Sequence, residues 1–501
     1  MMATETATPS RRIRARRGEI FAPRVRFYVT LVIALGGVGL RIAQYLFNRS
    51  LWLDEAMITR NILDKSFLEF FGPLDWGQGA PVGFLFIEKT VVELFGFSEY
   101  ALRLWPLVAG IAAIFLLWAV MERIMPDAAP LAVMLLAFSD PMIYYSSEVK
   151  QYMSDQTVAL ALWLLVLTLY NQLRAEHPPR RAVLGLAAGG AIAVWFSHPA
   201  IFVLSGMGIV LIWQPLRQRD WSQVRVLVII GAAWLASFGL VYLLAYRHTS
   251  AHEGLQNYWA ENMGRLDPVW FLQAYFEMTS WAAGLWRPLL VILLTAGFVI
   301  SLIKLDRRVL SLVLMPLVFT VLAALAHLYP FGGRLIFFTL PIVWITGCTG
   351  LTEVLKAVAR DLHPNLAAAV IIGGAGLLAI GTDARQIHQE GRLAFEFIEQ
   401  QHEETGAVYP IFLDVRMWQI GMAYDIDASL VDVDRGEEPA LIDLPAWYVC
   451  AGDDVGEYSE DSPCRIVENY MQTRASGGFV ERFPAASGDV HVYFYQPLDD
   501  E

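Results

Sequence analysis

Two adjacent carboxylates, Asp54 and Glu55, stand in Leu51-Trp-Leu-Asp-Glu-Ala56, directly after the first long apolar segment, Phe27 to Phe47. Carboxylates at a bilayer boundary are costly to hold dry and useful only with a partner or a task. Ile58, Ile62 and Leu63 follow at helical spacing, so the stretch reads as a short helix on a membrane surface. As cap and first-turn charge of that helix, the pair also has an ordinary structural use. Two more links between apolar segments carry reactive side chains. Pro141–Tyr152 holds Tyr144, Tyr145, Glu148, Lys150 and Tyr152; its tyrosines also suit interfacial anchoring, and Glu148 and Lys150 can pair in headgroup water. Tyr329-Pro-Phe-Gly-Gly-Arg334 sets a guanidinium, whose fork matches two phosphate oxygens, beside two glycines that allow a positive-φ turn. The same arginine also has the reach to snorkel to lipid headgroups. Arg103, near the start of the second apolar segment, must face protein or a wet cavity rather than lipid. His198 ends the fifth segment, where a satisfied interfacial histidine is the ordinary role.

Together, a carboxylate and several cations at one membrane surface suit a substrate whose phosphate lies at the interface while its tail stays in lipid. Transfer of a sugar from such a phosphate needs a base for the acceptor proton and cations for the leaving phosphate. No general acid is needed, because phosphate departs unprotonated. Neighbouring helical residues point about 100° apart. One of Asp54 and Glu55 is therefore expected to face the acceptor, and the other to orient it or to bind Lys or Arg. No His-x-x-x-His, Cys-x-x-Cys or outer Asp-x-Asp marks a tight metal site. There is room for a loosely held Mg²⁺ or Mn²⁺ bridging a phosphate to Asp54 or Glu55.

The elements that must position these groups are membrane spans. Of 501 residues 56% are hydrophobic and 17% charged, outside the range of ordinary soluble domains. Apolar runs place eleven spans at 27–47, 100–121, 129–143, 155–173, 182–197, 199–215, 225–246, 284–303, 309–328, 335–353 and 365–381. Residues 81–96 are also apolar, but Glu88, Lys89 and Glu93 suit an interfacial helix. Left on the outer surface, that helix allows Arg174, Arg180 and Arg181, then Arg217, Arg219 and Arg225, then Lys304, Arg307 and Arg308 all to lie inside. The arginine-rich residues 1–26 are then a cytoplasmic N-terminus, and every reactive link falls outside. The expected domains are 1–26, a membrane domain at 27–381 with 48–99 as its first outer loop, and 382–501.

The tail from Thr382 carries 7 basic and 25 acidic residues, a net of −18, against +6 for the rest, which returns the chain's −12. No basic surface accompanies it, which gives nucleic-acid binding no support. A helix from Asp383 to about Thr405 and strands at Val408–Leu413, Trp447–Cys450 and Val490–Tyr495 read as an α/β unit. The runs at 452–454 and 476–478 look like turns rather than phosphate loops. Cys348 lies in an apolar run as packing. Cys450 and Cys464 lie close enough in sequence to pair if the tail faces an oxidising compartment.

In their order these motifs resemble the GT-C superfamily, nearest to glycosyltransferase family 39, the protein O-mannosyltransferase-like group that includes the lipid A aminoarabinose transferase. The carriers are Leu51–Ala56, Ala80-Pro-Val-Gly-Phe-Leu-Phe86, Phe95-Gly-Phe-Ser-Glu-Tyr-Ala-Leu-Arg103, Tyr144-Tyr-Ser-Ser-Glu-Val-Lys-Gln-Tyr152, His198, and Tyr329–Arg334 with Pro341. The resemblance covers about residues 25–355. It implies an all-α polytopic GT-C membrane fold, here followed by an α/β extracytoplasmic domain. It also implies inverting sugar transfer from a polyprenyl- or dolichyl-phosphate donor to a lipid, protein or glycan outside the cytoplasm, at the plasma (inner) membrane. Asp54 matches the family's catalytic acidic position, with Glu55 beside it. Lys150, Arg334, Arg103 and Tyr145 are the expected donor-phosphate ligands, supported by Trp52, Glu148, Tyr152 and His198. Where the family often has Gln-Glu-Ala-Arg, this chain has Ser147-Glu148-Val149-Lys150, keeping a carboxylate and a cation but losing the planar fork. The metal-binding acidic pair of the oligosaccharyltransferase branch is absent from this link. Two other classes compete: a transporter or lipid-linked sugar flippase, which calls for midplane charge, broken helices and a repeat, and a non-catalytic assembly protein with the tail as binding module.

Overall fold

A computed structural model describes residues 22–173, 178–284, 287–358, 373–374, 378, 391–430, 445–451, 464, 480–484 and 490–495. Helix α1 (Pro23–Phe47) opens with proline in its first turn, where the missing N–H costs nothing. It ends at Asn48 in the left-handed region, φ +47°, which frees the chain to turn along the surface. Helices α2 (Leu53–Asp64) and α3 (Val82–Phe95) follow. At 14 residues α3 is roughly 21 Å long, short of the ~30 Å hydrocarbon core. The Ser98 side chain accepts from the Ala101 amide and starts α4 (Glu99–Ile124).

The bundle continues through α5 (Ala129–Ala137), α6 (Asp140–Tyr144), α7 (Tyr152–Leu173), α8 (Arg180–Phe196), α9 (Ala200–Gln218) and α10 (Trp221–Val241). After short helical turns come α11 (Pro268–Ala283), α12 (Pro288–Lys304), α13 (Arg307–Leu325), a 3₁₀ turn at Gly333–Thr339, and α14 (Leu340–Val358). Among the described residues, seven helical stretches are long and apolar enough to cross a bilayer, or nine if two bent pairs each count as one span. The 17-residue α8 continues the series. The expected spans thus fall on helices, except 365–381, most of which lies outside the described residues. The segment expected at 129–143 is broken by a 67° bend. Lipid-type surface is plain on α10 and α12, where Ile229, Leu235, Leu289 and Ile303 are all more than 60% exposed. Helices α12 and α14 approach so closely that a Cβ at Gly297 would overlap the carbonyl of Gly347, the small-residue contact common between membrane helices.

The C-terminal unit has α15 (Gly391–Thr405), β1 (Ile411–Leu413), α16 (Val415–Ala423), β2 (Ser429–Leu430), β3 (Ala446–Ala451), β4 (Val480–Pro484) and β5 (Val490–Tyr495). Its five strands run β2-β1-β3-β5-β4, parallel on the β1 side and antiparallel on the β5 side. The expected α/β reading holds, with the first strand beginning at Ile411 rather than Val408. Cys450 and Cys464 form a disulfide, and Cys348 is buried and free. The turns expected at 452–454 and 476–478 lie outside the described residues. One apolar cluster joins Leu51, Ile58, Ile62, Phe84 and Val149 to Phe395, Met417, Ile420 and Trp447 of this unit. The surface helices and the C-terminal unit therefore pack as one body.

Candidate active site

Asp54 occupies the first turn of α2 and is partly open, with 18% of its side chain exposed. Lys150 Nζ lies 2.8 Å from Asp54 Oδ1 and donates to Gln78 Oε1 at 2.6 Å. Arg334 Nη2 pairs with Asp54 Oδ2, and Arg334 Nη1 stands 3.7 Å from Glu148 Oε1. Three links far apart in sequence thus meet at one carboxylate. The Arg334 guanidinium lies 5.5 Å from the Trp52 ring centre and 5.2 Å from that of Tyr152, within cation–π range. Tyr145 hydrogen-bonds Arg334 and packs edge-on against Tyr152 and Phe337. Burial alone would push the Asp54 carboxyl up, but Lys150 and Arg334 together hold it below its usual value. Burial, with Arg334 nearby, lowers Lys150 even though Asp54 favours its charge.

Glu55, about 100° further round the helix, points into the interior. It is fully buried and takes Arg103 through Nε at 3.0 Å and Nη2 at 2.6 Å, Arg49 at 3.5 Å and the Val149 amide at 3.0 Å. Of the two acidic residues, Asp54 faces the cluster and Glu55 binds arginine. Arg103, expected at the phosphate, is instead turned to Glu55 and to the Ser50 carbonyl at 3.0 Å. Its 1% exposure leaves it no free face. Arg49 Nη1 donates to Ser147 Oγ at 2.9 Å, and its guanidinium covers the Tyr144 ring at 4.3 Å.

Glu148 and Lys150, which could have paired with each other, instead meet Arg334 and Asp54 respectively. Burial pushes the Glu148 carboxyl up to about 7 despite Arg334. Four cations (Arg49, Arg103, Lys150, Arg334) therefore face three carboxylates (Asp54, Glu55, Glu148), an excess of one positive charge, or two when Glu148 is protonated. His198 stands apart, with its ring 4.2 Å from that of Tyr246 and burial pulling its imidazole down to about 4. No described contact links it to Asp54, Lys150 or Arg334.

The glycine turn departs from expectation. Gly333 has φ +55°, but Gly332 is extended at −178°. A Cβ at Gly332 would lie against the Asn262 side chain, which passes close by at this turn. The Gly333 amide is taken by Glu277 rather than left for a ligand. Sequence reasoning missed Arg49 and Gln78. Arg49 had a signal, as an arginine two residues before Leu51, and Gln78 had another in its flanking glycines. Among the described residues, no three His, Cys, Asp or Glu side chains gather as a metal group.

A multi-pass helical bundle, with acidic and cationic links gathered at one end beneath a small α/β unit, has the GT-C fold. Residues 79–243 match the family model described as dolichyl-phosphate-mannose-protein mannosyltransferase. The whole chain resembles ArnT from Cupriavidus metallidurans, solved with bound undecaprenyl phosphate: TM-score 0.54 at 14% identity, over 94% of this chain and 97% of that one. It also resembles the archaeal oligosaccharyltransferase AglB from Archaeoglobus fulgidus, solved with an inhibitory peptide and a dolichol-phosphate. There the TM-score is 0.53 at 11% identity, over 93% of this chain and 74% of that one. No curated protein sequence matches the chain.

Proposed function

We propose that this protein is an integral-membrane glycosyltransferase that moves a sugar from a polyprenyl-phosphate donor to an extracytoplasmic acceptor with inversion. The observation that carries this reading is Asp54 held between Lys150 and Arg334, each from a different link. With donor bound, its phosphate competes with Asp54 for those two cations. As they turn to the phosphate, Asp54 loses the charges that depress its basicity and becomes a competent base. The acceptor oxygen then attacks the anomeric carbon and gives its proton to Asp54. The carbon–oxygen bond to phosphate breaks, and the electron pair leaves on a phosphate stabilised by Lys150 and Arg334. Tyr145, Trp52 and Tyr152 hold the Arg334 plane, and the excess positive charge suits a lipid phosphate. The family match over 79–243 and the shared fold weigh for transfer over transport.

The reading extends to placement. The chain is a multi-pass membrane protein, and charge bias puts its N-terminus in the cytoplasm and residues 382–501 outside the plasma (inner) membrane. The acceptor is a lipid, protein or glycan presented there. The test is release of polyprenyl phosphate from radiolabelled dolichyl-phosphate mannose in proteoliposomes supplied with envelope extract. Wild-type protein should transfer label, and Asp54→Asn, folded and inserted, should lose at least 100-fold in rate, as expected for a lost base, about 10²–10⁴. Full turnover by Asp54→Asn would remove the role assigned to it. Label that crosses the bilayer without transfer would favour a flippase.

A further inference from the structure

We infer that the C-terminal α/β unit is a positioning clamp for Asp54, acting through Tyr424 and Arg392 on the link between α1 and α2. This rests on the transferase reading above, which gives that unit no task. Four successive residues of the link have a backbone group held. Arg392 Nη2 donates to the Asn48 carbonyl at 2.8 Å. Arg103 takes the Arg49 and Ser50 carbonyls. The Leu51 amide donates to the Tyr424 hydroxyl at 2.8 Å. That hydroxyl donates in turn to Glu99 Oε1 at 2.9 Å, which also receives Arg392 Nη1 at 3.0 Å. Glu99 thus gathers both clamp residues at the start of α4. The far half of α2 is held as well, where Arg60 Nη1 donates to the Met422 carbonyl at 3.0 Å. Trp76 and Trp418 meet edge to face at 5.8 Å beside it.

The energetic logic favours positioning over mere adhesion. Burial of Leu51, Phe395, Met417 and Ile420 in one cluster already glues the two units. Hydrogen bonds to backbone add direction, and they fall just where the chain leaves α1 in a left-handed residue and begins the helix carrying Asp54. Without the Arg392 and Tyr424 bonds, Arg103 alone holds the link, through the Arg49 and Ser50 carbonyls, and the Leu51 amide three residues before the base is released. A displacement on the order of 1 Å at a reacting group can cost about 10²-fold in rate. The Tyr424 hydroxyl is bonded to Leu51 and Glu99 rather than to Asp54, Lys150 or Arg334, so its influence on the reaction runs through the Leu51 backbone.

Full-length Tyr424→Phe in proteoliposomes is the test, with Glu99→Gln as a second variant that loosens both Tyr424 and Arg392 while keeping a neutral acceptor. Hydrogen–deuterium exchange of the Asn48–Met57 peptides does not depend on which sugar is transferred. It should speed at least tenfold in both variants, while peptides covering Lys150 stay unchanged. Turnover of dolichyl-phosphate mannose per folded enzyme should fall about tenfold, with affinity for undecaprenyl phosphate within twofold of wild type. The double variant should be no slower than the worse single, because both break one linkage. A merely structural contact would lower the unfolding temperature and leave kcat of the folded enzyme alone. Unchanged exchange overturns the clamp whatever the wild-type activity, and faster exchange with unchanged kcat overturns its effect on catalysis. An inactive wild type with faster exchange in both variants keeps the clamp and removes dolichyl-phosphate mannose as the donor.

Discussion

Arg103 and Glu55 form a two-pronged ion pair in which both side chains are at most 2% exposed, closed at 3.0 and 2.6 Å. The pair lies about 100° around α2 from Asp54, and Arg103 also reaches the Arg49 and Ser50 carbonyls that lead into that helix. Without Arg103, Glu55 keeps only Arg49 at 3.5 Å and the Val149 amide, and without the Glu55 charge Arg103 keeps only backbone carbonyls, in both cases away from solvent. Glu55→Gln and Arg103→Met should each cost about 3–5 kcal/mol, the usual result of breaking a buried pair. Thermal unfolding in detergent checks this, and variants as stable as wild type would show that the pair is dispensable.

Arg334 joins Asp54, Glu148 and two aromatic faces, so its loss should be felt in ligand binding. Arg334→Ala should weaken affinity for undecaprenyl phosphate by at least tenfold, read by titration calorimetry. Arg334→Lys should recover only part of it, because an ammonium lacks the flat fork that spans two oxygens and stacks between Trp52 and Tyr152. Equal binding by all three proteins would dissociate Arg334 from the phosphate.

Glu148 should give the protein a pH response near neutrality. Its folded value, about 7, lies above the ordinary 4.5. From about pH 4.5 upward the unfolded chain gives up a proton that the folded chain retains, so stability falls with rising pH until about pH 7 and then levels off. Glu148→Gln should flatten that slope, read from urea unfolding at pH 5 and pH 8. Ionised Glu148 also opposes an incoming phosphate, so wild-type affinity for undecaprenyl phosphate should fall between pH 6 and 8 while that of Glu148→Gln holds. A slope that survives in Glu148→Gln would assign it elsewhere.

The α12–α14 contact leaves no room at Gly297. Gly297→Val must separate the two backbones, because the new Cβ would coincide with the Gly347 carbonyl. The expected outcome is a loss of monodisperse protein on size exclusion. Gly231→Val on α10, where a Cβ meets nothing within 4 Å, should elute as wild type and serves as the control. A fully folded, active Gly297→Val would show that the helices tolerate wider spacing.

Much of the site is legible in the sequence because membrane topology is. Once apolar length and arginine clusters fix the links, Asp54, Glu148, Lys150 and Arg334 are forced to one face although 280 residues separate the first from the last. Topology does not fix direction around a helix. The sequence therefore offers Arg103 as a phosphate ligand, whereas the structure gives it Glu55 as partner. Gln78 has only its flanking glycines to mark it, and they signal a turn rather than the Lys150 partner its amide meets. Tyr424 and Arg392 are hidden for a different reason. Their partners are backbone groups and Glu99, and no periodicity or charge pattern in an acidic tail points to a backbone more than 300 residues away.

The disulfide on β3 has a use beyond holding the sheet together. Cys450 is on the central strand, between β1 and β5, and its bond to Cys464 closes only where thiols are oxidised. Cys348, the remaining cysteine, is sealed in the bundle. With the tail outside the cytoplasm, as proposed above, the redox state of this cysteine couple would report which way up the polypeptide was inserted, read as a gel shift after thiol capture, before and after reductant.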